Sequence, residues 1–141
     1  MAVLPVPTVH TSPEKKTYVR VKTGLWVEGF TTVTTPTIRV GAQAVQATAT
    51  PKSVTWSLGE TNLTCTDAGS PTGTTCSHTY NRSSAGQPGG VYRITATITW
   101  TLTWTCEGTD CDDRTGTLSD MTMTSQPTPL TVGEIQTNTR Q

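Results

Sequence analysis

The sequence predicts an all-β fold, an antiparallel β-sandwich from which one long β-hairpin projects. Threonine, valine, isoleucine and the aromatic residues account for 58 of the 141 residues, and 34 of these are threonine. Such side chains lose rotamer freedom in helices and pack well on a pleated sheet. The 12 glycines and 9 prolines divide the chain into short segments, as a sandwich of several strands requires. A helical bundle is excluded, and an α/β enzyme with several long helices is disfavoured.

The charge balance argues against nucleic-acid binding, and the distribution of apolar residues argues against a membrane span. Ten basic residues balance ten acidic ones, so the chain has no net charge. Binding to nucleic acid depends on a basic stripe that releases phosphate counterions, and the sequence has none. No apolar run approaches the roughly 20 residues that span a bilayer. We therefore expect neither nucleic-acid binding nor a membrane span.

The chain is long enough for one domain with a real core. Residues 1–16 contain three prolines and no periodicity, so we expect an extended N-terminal segment that precedes the sandwich. The single β-sandwich domain is predicted over 17–136, and 137–141 form a C-terminal tail.

Apolar residues in alternation predict the first strands. One strand is expected within 17–28. Between 37 and 50 the apolar positions change parity, which predicts a β-bulge near Ala44 because a shift of one residue swaps the two faces of a strand. A turn at Pro51 then leads into a strand at 54–58. Residues 59–90 are too long for a structureless loop in a compact domain, so one disulfide and one short strand are expected within them.

The strongest pattern lies at 91–105, where apolar residues occupy the even positions and threonine fills every odd position from 95 onward. Such alternation is typical of a strand with one apolar and one hydroxyl face. At about 3.3 Å per residue the strand measures roughly 45–50 Å, longer than usual. We expect a long hairpin over 91–124, returning at 115–124 and projecting beyond the sandwich, and a final strand at 129–135. The threonine face raises the possibility of ice binding, but no ladder repeated across many strands is expected.

The four cysteines allow three pairings. The local pairs Cys65–Cys76 and Cys106–Cys111 are the economical choice, each closing a surface loop. Zinc is the alternative reading, but neither pair has the short C-x-x-C spacing of a zinc knuckle. Disulfides favour an oxidising compartment. Since the first five residues lack a signal peptide's basic stretch, a mature secreted domain is expected.

Two segments resemble the PKD-type immunoglobulin-like domain of extracellular proteins. Residues 54–60 (VTWSLGE) are similar to its strand-and-turn motif W-D-F-G-D-G. Residues 78–80 (HTY) and 90–97 (GVYRITAT) are similar to its H-T-Y…G-x-Y-x-V-x-L-x-V segment. The match covers roughly 38–100 and implies an immunoglobulin-like β-sandwich.

The chain departs from that family at Ser57 and Thr61, where aspartate and glycine are common, and it inserts the first cysteine loop. Residues 78–90 and 99–104 are also similar to a group of uncharacterised secreted proteins of actinobacteria. PKD-type modules are generally non-enzymatic spacers or binding modules. The resemblance thus implies an extracellular location and no catalytic activity.

We therefore expect a non-catalytic interaction or spacer module at a bacterial cell surface, with a protein or cell-wall carbohydrate partner and no cofactor. One alternative is a self-assembling, fibre-type subunit that adds edge strands to a neighbour's sheet. Another is a carbohydrate-binding module that uses exposed tryptophans. A catalytic triad drawn from Ser83, Ser84, His78 and Asp67 stays open, but no nucleophile elbow supports it.

The candidate binding residues lie on the hairpin, on an early strand and in the 81–90 loop. They are Trp104, Trp26, Met121, Met123, Arg82 and Gln87. Trp104 lies near the end of the long strand, where it is expected to pack across strands within the hairpin. If it is exposed beside Met121 or Met123, it forms an apolar patch suited to a partner. The remaining aromatic residues of the strands, Trp56, Tyr80, Tyr92 and Trp100, are expected in the core.

Carboxylates crowd the second cysteine loop. Glu107, Asp110, Asp112 and Asp113 supply the oxygen ligands that calcium prefers, although without EF-hand spacing. A solvated hairpin tip that prevents edge-to-edge aggregation accounts for them equally well. No metal site is predicted beyond this weak calcium candidate.

Overall fold

Two long strands, built from alternating apolar and hydroxyl residues, form the spine of the fold. The computed structural model describes residues 4–134. Within them all regular structure is β-sheet, apart from one 3-10 turn at Pro88–Gly90. The strands are β1 (Thr8–Ser12), β2 (Lys16–Tyr18), β3 (Lys22–Glu28), β4 (Val33–Thr34), β5 (Ile38–Val40), β6 (Gln43–Ser57), β7 (Asn62–Cys65), β8 (Ser77–Thr79), β9 (Tyr92–Gly108), β10 (Thr115–Thr124) and β11 (Thr128–Gly133).

The spine consists of β6 and β9, which pair antiparallel over nearly their whole length. Shorter strands line its two outer edges in succession. Toward the hairpin tip, β7, β4 and β5 pair in turn with β6, while β11 and β10 pair in turn with β9. β2 adds to β11 in parallel. Every other pair of strands in residues 4–134 is antiparallel, largely as predicted.

A second, smaller sheet of β1, β3 and β8 packs against part of this large sheet. The core between them is formed by fully buried side chains: Leu25, Val54, Trp56, Leu58, Tyr80, Ile94, Ile98 and Trp100. Tyr92 is 3 % exposed, so the core positions predicted for the four aromatic residues are confirmed. All-β architecture with packed sheets is likewise confirmed.

Trp100 is the last large side chain of β9 that is fully buried, since Leu102 and Trp104 are only half-buried. We call the covered part of the fold the body. The arm is the remainder of the large sheet: β5, residues 43–51 of β6, residues 101–108 of β9 and residues 115–121 of β10. The long hairpin is therefore confirmed, but it is widened from two strands to four by β6 and β5.

Two bulges mark the junction of body and arm. Lys52 is an extra residue in β6 between the positions that face Trp100 and Thr99. In β10 the register shifts between Leu118 and Met121, opposite the same part of β9. Bulged strands bend and twist more strongly, so the sheet changes direction where its cover ends.

Two predictions about β6 are wrong. The parity change near Ala44 reflects the turn at Gly41 between β5 and β6, because an intervening turn resets the alternation. Pro51 is not a turn: the strand continues through it, and the neighbouring bulge accommodates the register shift.

The extended N-terminal segment predicted for 1–16 is in part a core strand. β1 pairs with β3, and both Val9 and Thr11 are buried. The prolines at 5, 7 and 13 flank this strand instead of interrupting it, which is compatible with pairing. The fold therefore begins before residue 17. Residues 1–3, Ile135 of the predicted last strand and the predicted tail at 137–141 lie outside the described residues.

Both local cysteine pairs form disulfides. Cys65–Cys76 lies in the core, and Cys106–Cys111 closes the loop at the tip of the arm, with Cα–Cα distances of 5.9 and 6.0 Å. The segment 59–90 holds two short strands, β7 and β8, where one was expected. This segment is rich in glycine, serine and asparagine. The disulfide Cys65–Cys76 and the pairing of β7 with β6 hold it in place.

Candidate functional site

The apolar face of the sheet continues from the body into the arm, where the smaller sheet no longer covers it. Ile38 of β5 lies opposite Val45 of β6, which lies opposite Cys106 of β9. Four residues closer to the body along β9, Leu102 lies opposite Leu118 of β10. Residues directly opposite each other share a face. One apolar surface thus crosses four strands.

This surface is exposed to solvent. Four of the five exposed large hydrophobic residues found in residues 4–134 belong to the arm: Ile38 and Val40 are each 58 % exposed, Leu118 is 50 % exposed and Met121 is 49 % exposed. We call these four residues, with Val45, Leu102 and Trp104, the arm face. Contiguous exposed apolar surface of this kind marks interaction sites in soluble proteins.

Trp104 lies on the arm face but not beside a methionine. It lies opposite Gly116, and a Cβ atom at that glycine would come within 2.5 Å of the indole ring. The ring therefore covers the bare backbone of an edge strand, as aromatic residues do opposite strand glycines. Met121 and Met123 lie opposite Trp100 and Ile98 instead, so of the two expected arrangements Trp104 adopts cross-strand packing and not contact with a methionine.

Trp26 lies on the other sheet and forms no common surface with Trp104. The ring of His10 stacks on it with centroids 4.1 Å apart, and His10 Nε2 lies 2.8 Å from a carboxylate oxygen of Glu28. One face of the Trp26 ring is thus covered by His10, which belongs to the segment 1–16 that was predicted to be extended and to precede the sandwich. This leaves less of its ring free as a platform for a sugar.

Arg82 and Gln87 line a cavity of about 710 Å³ at the end of the molecule opposite the arm tip. Its wall also includes Glu60 and His78, whose side chains lie 2.7 Å apart. We call this space the base cavity. The sequence placed Arg82 and Gln87 on a shared loop but gave no role to Glu60, the last residue of the strand-and-turn segment 54–60.

The carboxylate of Glu60 is held by several donors. The backbone N–H groups of Asn81 and Arg82 donate to it at 3.0 and 3.1 Å, and His78 contacts it at 2.7 Å. Burial by itself raises the pKa of Glu60, but these hydrogen bonds outweigh it and the pKa is lowered from 4.5. Burial, followed by the charge of Glu60, raises the pKa of Tyr80 well above its usual range. The base cavity therefore holds a fixed and well-compensated negative charge.

The residues of the possible catalytic triad each have another partner. His78 contacts Glu60, and Asp67 accepts the backbone N–H of Gly69 at 2.8 Å. The hydroxyl of Ser84 is buried and donates to the carbonyl of Gly90 at 2.7 Å. These contacts position the loops and give no activated nucleophile among the residues considered.

The four carboxylates of the arm tip do not converge. Within residues 4–134 no three histidine, cysteine, aspartate or glutamate side chains come close enough together to hold a metal ion. Asp110 instead lies 3.4 Å from the backbone N–H of Ala42. The arrangement is that of a solvated, acidic hairpin tip.

Threonines of neighbouring strands form rows on the face opposite the arm face. Thr103 lies between Thr48 and Thr117, and the hydroxyls of Thr97 and Thr124 are 2.8 Å apart. The threonine rows thus cross three strands, β6, β9 and β10. Because the two bulges bend the sheet, these rows do not form one flat hydroxyl lattice.

Comparison with protein-family models, curated proteins and solved structures found no match. The resemblance to PKD-type domains accordingly stays a prediction. In the described part of the chain, no helix has the length and hydrophobicity needed to cross a membrane.

Proposed function

We propose that the chain is a non-catalytic, immunoglobulin-like interaction module that acts outside the cell, at a bacterial surface, and binds a protein through its arm face. The observation that carries this proposal is the break in burial along one sheet face: Trp100 is fully buried, whereas Leu118 and Ile38 are half-exposed or more. The two disulfides are consistent with an extracellular location.

The energetics support a partner at this face. Complete burial of one large aliphatic side chain is worth about 1.5–3 kcal/mol. Ile38, Val40, Leu118 and Met121 each expose about half of their surface. Covering all four therefore contributes about 3–6 kcal/mol before the cost of association is subtracted. A protein with a matching apolar patch gains this energy, whereas a free sugar lacks the area to cover four strands.

Edge-strand addition is the second candidate. Among residues 4–134, β10 pairs with β9 alone, so its other edge carries backbone groups that another strand can join. The bulge between Leu118 and Met121 interrupts that edge. Since a bulge breaks the pairing register, the arm face is the favoured surface.

The test is saturable binding of the labelled protein to intact cells of the organism that encodes it. The variant Ile38→Ser/Leu118→Ser removes two apolar side chains from the arm face. The matched control Thr103→Ser/Thr117→Ser changes two exposed residues of the opposite face. We expect wild type and control to bind alike, and the arm-face variant to bind at least about tenfold more weakly, which corresponds to about 1.4 kcal/mol. Equal binding by all three, or no saturable binding by wild type, overturns the proposal.

A further inference from the structure

Charged side chains are segregated to the two ends of the long sheet. The end at which β9 begins carries six basic residues that form no ion pair with any of residues 4–134: Lys15, Lys16, Arg20, Lys22, Arg82 and Arg93. Backbone pairing places them together, since Lys16 lies opposite Thr131, Lys22 lies opposite Thr79, and Arg20 donates its N–H to Tyr80. We call this end the base.

The other end is acidic. The tip loop and the strand end before it carry Glu107, Asp110, Asp112 and Asp113, of which none forms an ion pair within residues 4–134. Two arginines, Arg39 and Arg114, lie at the same end. Acidic residues thus predominate at the tip and basic residues at the base.

The two ends are too far apart to neutralise each other within one molecule. β9 has 17 residues, which at about 3.3 Å per residue separate base and tip by roughly 55 Å. The screening length at physiological ionic strength is about 8 Å. Each end is therefore free to attract the opposite end of a neighbouring molecule.

The base also has the shape to receive a loop. The base cavity of about 710 Å³ adjoins a second cavity of about 310 Å³ that is lined by Arg20 and Glu134, and Asn81 lines both. Glu60 does not oppose an incoming carboxylate strongly, because His78 and two backbone N–H groups already bind it. The guanidinium groups of Arg82 and Arg20 suit carboxylates, which they bind in a fixed, two-pronged geometry.

We propose that the chain assembles head to tail: the acidic tip loop of one copy docks in the base cavity of the next, where Arg82 and Arg20 bind Asp112 and Asp113. The disulfide Cys106–Cys111 closes this loop, so less conformational entropy is lost on docking. The contact joins two different surfaces at opposite ends of the molecule, and such contacts propagate into open filaments or, where the rotation closes, into rings. It goes beyond the proposed function, because the arm face is not part of it.

The first measurement is the mass of the purified full chain by sedimentation velocity, at rising protein concentration in low and in high salt. We expect species larger than the monomer in low salt that revert to monomer in high salt, because screening weakens the contact. A wild-type chain that stays monomeric at every concentration in low salt overturns the inference. It leaves binding to cells untouched, so the two proposals fail separately.

Charge reversal tests whether the tip loop and the base cavity are the two surfaces in contact. The tip variant is Asp112→Lys/Asp113→Lys, and the base variant is Arg20→Glu/Arg82→Glu. Each alone is expected to remain monomeric, and an equal mixture is expected to recover the assembly because the reversed tip then meets the reversed base. The control Glu28→Lys/Asp120→Lys changes the net charge as much as the tip variant does, at positions away from both ends, and is expected to assemble.

Two results of the charge-reversal experiment would contradict head-to-tail assembly. Assembly by the tip variant alone, or a mixture that stays monomeric although both variants fold, contradicts it. If glutamate at position 82 unfolds the base variant, Arg82→Gln replaces it, and association weakened at least about tenfold is then expected, as for the loss of a charge-assisted contact. Unchanged association of that variant overturns the role of the base cavity.

Discussion

The ammonium group of Lys52 lies 2.7 Å from a carboxylate oxygen of Asp120, so an ion pair links the two bulges that flank β9. Both partners are partly exposed, and an ion pair of this kind contributes little, about 0–1 kcal/mol. The two bulges contribute to the fold mainly by setting the pairing register of β6 and β10 with β9. Each one shifts its strand by a residue, which keeps apolar residues on one face of both the body and the arm.

Deletion of Lys52 is therefore expected to destabilise the protein far more than Lys52→Ala. The deletion turns Ala49, Ala47 and Val45 to the wrong face of the sheet, whereas the substitution removes only a partly exposed ion pair. We expect a loss of several kcal/mol against at most about 1 kcal/mol, measured as the free energy of unfolding in urea. Similar losses for both changes contradict the assignment of Lys52 as the bulge residue.

Glu60 is expected to make stability depend on acid pH. Its pKa in the folded protein is lowered from 4.5. The unfolded chain therefore binds this proton more readily, and the stabilisation is present above about pH 5 and is lost as pH falls through the folded pKa. Glu60→Gln is expected to cost about 1–3 kcal/mol at neutral pH and to flatten the decline in acid.

The measurement is the free energy of unfolding between neutral and acid pH. Glu28→Gln is the matched control, because it removes an exposed carboxylate that also contacts a histidine, and it is expected to cost less than about 1 kcal/mol at neutral pH. If Glu60→Gln leaves the pH dependence unchanged, the hydrogen bonds to Glu60 do not stabilise its charge.

Trp56 and Trp100 provide a matched pair of core substitutions. Both are fully buried, but Trp100 Nε1 donates to the carbonyl of Thr31 at 3.1 Å, whereas Trp56 Nε1 has no partner within residues 4–134. Replacement by phenylalanine creates a comparable cavity at each site. We expect Trp100→Phe to cost about 1–3 kcal/mol more than Trp56→Phe, because it breaks a hydrogen bond, whereas Trp56→Phe removes a buried N–H that has no partner within residues 4–134. Chemical denaturation measures the difference, and the reverse order contradicts it.

Gly116→Ala is expected to displace the indole of Trp104. A Cβ atom at this position would lie 2.5 Å from the ring, and a half-buried side chain can move away more readily than the backbone can. Quenching of tryptophan fluorescence by iodide should increase, with little loss of stability. The control is Ala47→Gly, which changes the residue opposite Trp104 on β6. It adds no atom next to the indole, so iodide quenching is expected to increase less than in Gly116→Ala. Unaltered quenching in Gly116→Ala contradicts the packing of Trp104 on β10.

The sequence allowed prediction of features that depend on neighbours in the chain. The alternation of β9 is local, so its strand, its hydroxyl face and its return strand could be predicted. The disulfides follow from short separations between cysteines. β1 was missed because the flanking prolines masked its alternation, and the four-stranded arm was missed because β6 and β9 are distant in the chain.

The candidate site was predictable only in part, for the same reason. Trp104 and Met121 were placed on the projecting hairpin, where they do lie. The exposure of Ile38, Val40 and Leu118 depends on where the second sheet ends, which no local pattern encodes. Glu60 was missed because its partners, His78 and the N–H groups of the 81–82 turn, meet it only through the fold.

The most direct test of the account is oxidative footprinting of the labelled protein, free and bound to cells. Ile38, Val40, Leu118 and Met121 are about half-exposed, and Val6, at 53 % exposed on the body, is an internal reference. If the arm face contacts the partner, binding protects these four residues and leaves Val6 as reactive as before. Protection of Val6 with no change at the arm face would contradict it.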